Sequence, residues 1–395
     1  MMLRVLGLCF AMLLSTTVAA YEFTQPVTVV SSSKGVFYHL ESSGRQAMAI
    51  NNGTIAITWE DNSTGLPQVY IAFKDDKAST FTKPVQVSQI GPAYEPVIAT
   101  HRDGFVIGWE AKDQVWLRYV TKQKKSDIVR ITDKVTRHLS LNQTPAKEII
   151  AVWAEKQGKY YQIAHGKVTE SNMKLKVQPT GLVDKTTDKT GQLFPSVVVT
   201  QAGTLVAWED RREGATRIVT AFAPTGKMFM RYKILNEFIP SPRPEFGNGT
   251  GAMRVVLSSD LKQGVTAVWM DKRDFVGGYD VYAALSRDGG RSFGKNELTQ
   301  DTFGENTPQW HATVAMNAHG NIVVAWDDPR DSTPDVWYSK RLSSGWSDDE
   351  VWQGGGGDGA QTVPVLLFDE NTLHAAWLDK KDTGSAIRYT FTKQK

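Results

Sequence analysis

Seven tryptophans recur along this chain at intervals of 44 to 61 residues, and each is followed within two positions by an acidic residue. They are Trp59 (Glu60, Asp61), Trp109 (Glu110), Trp153 (Glu155), Trp208 (Glu209, Asp210), Trp269 (Asp271), Trp326 (Asp327, Asp328) and Trp377 (Asp379). Self-similarity at such a period marks a repeat architecture, in which one supersecondary unit is copied. A unit of that kind cannot bury its apolar face alone, so successive copies must pack on one another.

The units share a grammar of strands and turns. In the fourth, Phe194 to Val199 reads as a strand, Ala202-Gly203 as a turn and Thr204 to Trp208 as a second strand. Glu209 to Ala215 follows as a loop, and Thr216 to Phe222 as a third strand. Short β-branched and aromatic runs between turn signals identify an all-β chain. Four strands per period identify a seven-bladed β-propeller. The last unit runs out near Phe391, after its third strand. The segment Phe23-Thr24-Gln25-Pro26-Val27-Thr28-Val29 repeats the pattern of Phe81-Thr82-Lys83-Pro84-Val85-Gln86-Val87, the outer strand of the first unit. The N-terminal strand is therefore expected to complete the last blade and leave few unpaired edges. The run Gly354 to Gly357 falls between two units and reads as a loop.

Arg4, the apolar run Val5 to Leu14 and the small residues Val18-Ala19-Ala20 read as a secretory leader cut after Ala20. Residues 21–395 are then expected to form one propeller in a secreted or periplasmic protein. The only cysteine, Cys9, lies in the leader, which leaves no disulfide or thiolate chemistry in the remainder. A formal net charge of +3, without Lys/Arg runs, points away from nucleic acid and from membrane surfaces. No later stretch reaches the roughly 18 apolar residues of a membrane span, so membrane insertion is not expected. The seven histidines lack zinc-ligand spacing, and no phosphate loop or nucleophile elbow occurs. No metal or cofactor is expected.

Ser286-Arg287-Asp288-Gly289-Gly290-Arg291-Ser292-Phe293 resembles the Asp box of sialidase-like propellers, also called BNR repeats, with Ser286, Asp288, Gly290 and Phe293 at the motif positions. Lys74 to Phe81 is a degenerate copy that keeps Asp76 and Phe81. The resemblance implies the sialidase-like fold over nearly the whole chain after the leader, with six blades as the alternative count. It places the box in the turn between third and fourth strands. There Asp288 is expected to fold the turn by accepting backbone N–H bonds, a structural role.

Loops after second and fourth strands share one face of a propeller, so the acidic residues after each tryptophan ring the channel mouth. A device copied in most blades reads as a structural clamp, with each tryptophan packed between blades. Function is better sought where copies differ. Counting back 14 to 16 residues from each tryptophan reaches the start of the innermost strand and gives Arg45, Glu95, Arg137, Phe194, Arg254, His311 and Thr362. The resemblance implies that three arginines grip a substrate carboxylate, and Arg45, Arg137 and Arg254 are the candidates. A guanidinium fork suits a carboxylate bidentately. Asp61 is the candidate acid. Tyr94-Glu95 lies on the right face, but neighbours in a strand point to opposite sides, and no tyrosine is singled out as a nucleophile. Arg243 and Phe246, in the insertion from Phe238 to Gly251, and Trp310-His311 form a second set suited to sugars. The leading expectation is recognition of a carbohydrate or glycoconjugate at the channel mouth. The alternatives are an exo-sialidase-type glycoside hydrolase and a periplasmic scaffold for a protein partner.

Overall fold

The computed structural model of the chain describes residues 21–33, 35–40, 46–89, 91–186, 190–237, 251–273, 278–304 and 306–393. The expected leader, Arg45, Arg243 and Phe246 lie outside the described residues. Seven antiparallel sheets stand in a ring, so the blade count is seven and not six. From the second blade to the seventh, the inner strands are Tyr94–His101, Thr136–Gln143, Gln192–Thr200, Ala252–Ser259, Trp310–Met316 and Ala360–Asp369. In blade one the inner position is shared by Tyr38–His39 and Met48–Asn51, which both pair with Thr54–Asp61.

The N-terminal segment closes the ring. Val27–Ser33 pairs antiparallel with Gly384–Phe391, the third strand of blade seven. Phe23 extends the match by bridging Thr392, and its ring packs 5.8 Å from Tyr338 and 5.9 Å from Trp352.

The core is not central. It is divided into apolar layers, each between two neighbouring blades, as expected for sheets packed face to face. Each of the seven tryptophans sits in the layer shared with the preceding blade. Trp326 packs with Val268, Met270 and Val281 of blade five, and Trp59 with Val365 and Tyr389 of blade seven. All seven are fully buried. Truncating such a ring to alanine costs about 3–5 kcal/mol, so the repeat chiefly encodes adhesion between blades.

The turn from Ser286 to Phe293 is closed by side chain to backbone bonds. Asp288 Oδ1 accepts from Ser292 N at 2.9 Å, and Ser286 Oγ accepts from Gly290 N at 2.9 Å. Burial alone would raise the Asp288 carboxyl, but the bonds from Ser292 and Ser286 outweigh it and hold it at about 2. The turn lies on the face away from the tryptophan loops. It packs on blade four, where a Cβ on Gly290 would come within 2.7 Å of Leu205.

Candidate functional site

The two acidic positions after each tryptophan do different work, because consecutive residues of a strand face opposite ways. The residue two positions on shares the tryptophan's side and takes its indole N–H. Asp61, Glu155, Asp210, Asp271 and Asp328 accept from Trp59, Trp153, Trp208, Trp269 and Trp326 at 2.8 to 3.3 Å. Three of these carboxylates also hold an arginine that lies over an aromatic ring. Arg212 pairs with Asp210 over Tyr232, Arg273 with Asp271 over Tyr282, and Arg330 with Asp328 over Trp337. Asp61 belongs to this set. Buried and bonded to Trp59 and Ser63, its carboxylate is occupied in building the loop rather than presented as an acid.

The residue directly after the tryptophan faces the following blade. Glu60, Glu110, Glu209 and Asp327 each accept a backbone N–H from the next inner strand, from Glu95, His138, Arg254 and Val363, at 3.2, 2.6, 2.8 and 2.9 Å. These four N–H donors share a further property. In blades two to seven the inner strand slips register near its start. At that bulge stands one non-glycine residue in the left-handed region: Glu95, His138, Phe194, Arg254, His311 and Val363, with φ between 51° and 57°. Such a residue costs about 1–2 kcal/mol. A hydrogen bond to a buried carboxylate contributes about 1.5–3 kcal/mol, enough to hold it.

These six positions are structurally equivalent and chemically different. They put an acid, two imidazoles, a phenyl ring, a guanidinium and an isopropyl group round the channel mouth. Below them the channel widens into a cavity of about 630 Å³ that opens on the opposite face and is lined largely by aliphatic residues such as Met48, Ile98, Val198 and Leu366. The chemistry is concentrated at the mouth.

Of the residues reached by counting from the tryptophans, Glu95, Phe194, Arg254 and His311 hold the left-handed position, and in two blades that position falls one residue later. His138, not Arg137, holds the left-handed position of blade three, and Val363, not Thr362, that of blade seven. The one-residue slip matters. The Arg137 guanidinium lies 4.7 Å from the Tyr161 ring and 3.9 Å from Asp113, away from the position Arg254 occupies in its own blade. Arg137 and Arg254 are therefore not equivalent members of a triad.

Where Ala154 leaves no carboxylate after Trp153, His138 takes over. Its Nδ1 accepts Phe194 N at 3.3 Å, which puts the imidazole proton on Nε2. Its ring stacks on Phe194 at 3.7 Å, and the Arg254 guanidinium covers Phe194 at 3.3 Å. With imidazole and guanidinium both stacked on it, Phe194 is a spacer rather than a sugar platform. Trp310 is different. It is 38% exposed and leans on Tyr279 at 5.3 Å. His311 Nδ1 lies 2.6 Å from Asp327 Oδ1.

Glu209 and Tyr279 complete the patch between Arg254 and Trp310, and neither stood out in the sequence as a site residue. Burial lifts the Glu209 carboxyl above the usual carboxylate range, against the pull of the Arg254 N–H and charge. Tyr279 is raised too, first by burial and then by the nearby negative charges of Glu209 and Asp271. A patch with a stacking ring, a phenol, a guanidinium and a carboxyl whose burial favours its protonated form can bind hydroxyl-rich ligands.

Neither a protein-family model nor a curated protein sequence matches the chain. Among solved structures it is similar to an α-L-arabinanase of Penicillium chrysogenum complexed with arabinobiose, with a TM-score of 0.52, 12% identity and coverage of 93% of this chain and 98% of that one. It is similar to an α-L-arabinofuranosidase of Fusarium graminearum in complex with an iminosugar inhibitor, with a TM-score of 0.51, 11% identity and coverage of 94% and 98%. An oligogalacturonate lyase in complex with manganese gives a TM-score of 0.54, 8% identity and coverage of 95% and 96%. At these identities the likeness is one of fold, a β-propeller shared over nearly the full length of each chain.

Proposed function

We propose that this is an exported carbohydrate-recognising β-propeller whose site is the channel mouth between blades three and seven. The observation that carries this reading is the ring of equivalent left-handed positions with unlike side chains, next to the exposed ring of Trp310. Aromatic faces stack on the apolar side of a sugar, while Arg254, His311 and the carboxylates take hydroxyls. The propeller neighbours that act on arabinose-containing and galacturonate glycans agree with it. Export is supported by the leader-like N-terminus. A cut after Ala20 would leave Phe23 and Val27–Ser33 intact to close the ring.

Glycan-array binding followed by titration of the hits tests this. Trp310→Ala is expected to weaken binding about tenfold, the worth of about 1.4 kcal/mol, with an unchanged circular-dichroism spectrum. No glycan hit, together with capture of a specific protein, would overturn it in favour of a docking scaffold.

Glu209 favours a second, hydrolytic reading. A carboxyl that stays protonated above its ordinary range can pass its proton to a glycosidic oxygen as the C–O bond breaks. Water then adds to the anomeric carbon and gives its proton to a second, ionised carboxylate of the ring. Turnover would fall as pH rises through the raised Glu209 pKa, and Glu209→Gln would bind without turnover. A flat pH profile, or full turnover by Glu209→Gln, would remove this reading. The sialidase version has less support, since Arg137 is engaged by Tyr161 and Asp113.

A further inference from the structure

Trp310 is not alone on this face. Around the mouth, two blades further on, Phe37 is 53% exposed and stacks on His39 at 5.9 Å. Tyr94, 42% exposed, opens the inner strand of blade two. Each of these rings is followed within two residues by a polar group of the mouth: His311 after Trp310, His39 after Phe37 and Glu95 after Tyr94. They are separate platforms flanked by hydrogen-bonding groups, not one continuous apolar patch. That pattern suits a polyhydroxy ligand better than a protein surface.

Blade seven lies between the two platforms, and its mouth carries the exposed hairpin tip at residues 380–383 beside a loop almost free of side chains. The loop leading into its inner strand reads Gly354-Gly355-Gly356-Gly357-Asp358-Gly359. At two of these glycines a side chain does not fit. A Cβ on Gly354 would come within 2.7 Å of Pro26 Cγ, and one on Gly359 within 2.3 Å of the Lys380 carbonyl oxygen. Only Asp358 carries a side chain here, and it is exposed. The left-handed position of this blade is Val363, the one member of the ring without a polar or aromatic group. The result is a glycine saddle, almost free of side chains, beside the 380–383 hairpin tip, with a ring on either side. Trp310 and Phe37 are two blade steps apart, no more than roughly 20 Å at about 10 Å per packed sheet.

We infer that the site takes an extended glycan chain, laid over the glycine saddle of blade seven from Trp310 to Phe37, rather than a single terminal sugar. This rests on the carbohydrate reading above and adds the substrate class, a linear oligo- or polysaccharide that meets the protein at several sugar units. The aromatic rings hold its two ends, and Asp358 together with the loop backbone meets hydroxyls between them.

The test is the dependence of affinity on chain length, measured by calorimetry with size-graded arabino-, xylo- and galacto-oligosaccharides from disaccharide to hexasaccharide. For a series that binds, the hexasaccharide is expected to bind about tenfold or more tighter than the disaccharide. Phe37→Ala should reduce that ratio about three- to tenfold, the worth of one ring contact. Asp358→Trp, which fills the saddle from an exposed position, should reduce it further. Thermal melts of both variants exclude unfolding as the cause. Equal affinity for disaccharide and hexasaccharide, or a ratio unchanged by Asp358→Trp, overturns the extended-chain inference and leaves the carbohydrate reading standing. Failure of every length to bind overturns both.

Discussion

A tryptophan buried between two sheets carries one polar atom, and its indole N–H needs an acceptor wherever water is excluded. Five of the seven blades supply a carboxylate two residues on. Blade two has Ala111 instead, and in blade seven Asp379 accepts from Gln361; the indole nitrogens of Trp109 and Trp377 have no partner among the described residues. This difference sets an expectation for stability. Asp271→Ala removes the acceptor of Trp269 and the close ion partner of the buried Arg273, which keeps Asn296, and should cost about 3–5 kcal/mol, as for a broken buried ion pair. Asp379→Ala orphans neither and should cost less than about 1 kcal/mol. Urea denaturation of the two variants decides it, and equal losses would refute the assignment of roles. The acid after each tryptophan was visible in the sequence, but which blade it served was not. Strand alternation sorts the two acidic positions only after the direction in which each tryptophan faces is known.

At the scale of the strand, the recurring element is a bulge with a left-handed residue near the start of six inner strands. Val363 is the most informative member, because a β-branched side chain is poorly suited to that region. Val363 and Val365 are similarly buried, at 5% and 3%. Glycine at 365 loses packing and gains nothing in the backbone. Glycine at 363 loses comparable packing but relieves about 1–2 kcal/mol of strain. Val363→Gly should therefore be less destabilising than Val365→Gly by about that amount in chemical denaturation, and the reverse order would contradict the strain assignment. The bulge also explains how much of the site was legible. Spacing from the tryptophan varies between 14 and 15 residues across the blades, since the hairpins between inner and second strands differ in length. Without the backbone, Arg137 and His138 are equally good candidates, as are Thr362 and Val363. Glu209 was legible as half of a repeat, but its neighbourhood with Tyr279 and Arg254 joins two blades and has no signature in local sequence.

For the whole molecule, the apolar layers between blades are alike, so the ring holds only if every seam is sealed. Six seams join blades built from consecutive chain. The blade that completes the circuit takes its outer strand from the other end of the sequence, and this was readable because Phe23–Val27 repeats the Phe-Thr-x-Pro-Val pattern of the first unit's outer strand, Phe81–Val85. Removing residues 21–33 would bare the Gly384–Phe391 edge and the Tyr338–Trp352 surface that Phe23 covers. Such a chain should aggregate and lose its cooperative melt, whereas one beginning at Tyr21 should melt in a single transition. Light scattering and calorimetry distinguish the two, and a monomeric, cooperatively melting truncation would show that closure is dispensable. The pairing of Val27 with Tyr389 has a further consequence in time. The strand Val27–Ser33 finds its partner only after every blade between them has been made. Any shorter run of blades is an open arc with a free edge, and ring closure waits on the strand Gly384–Phe391.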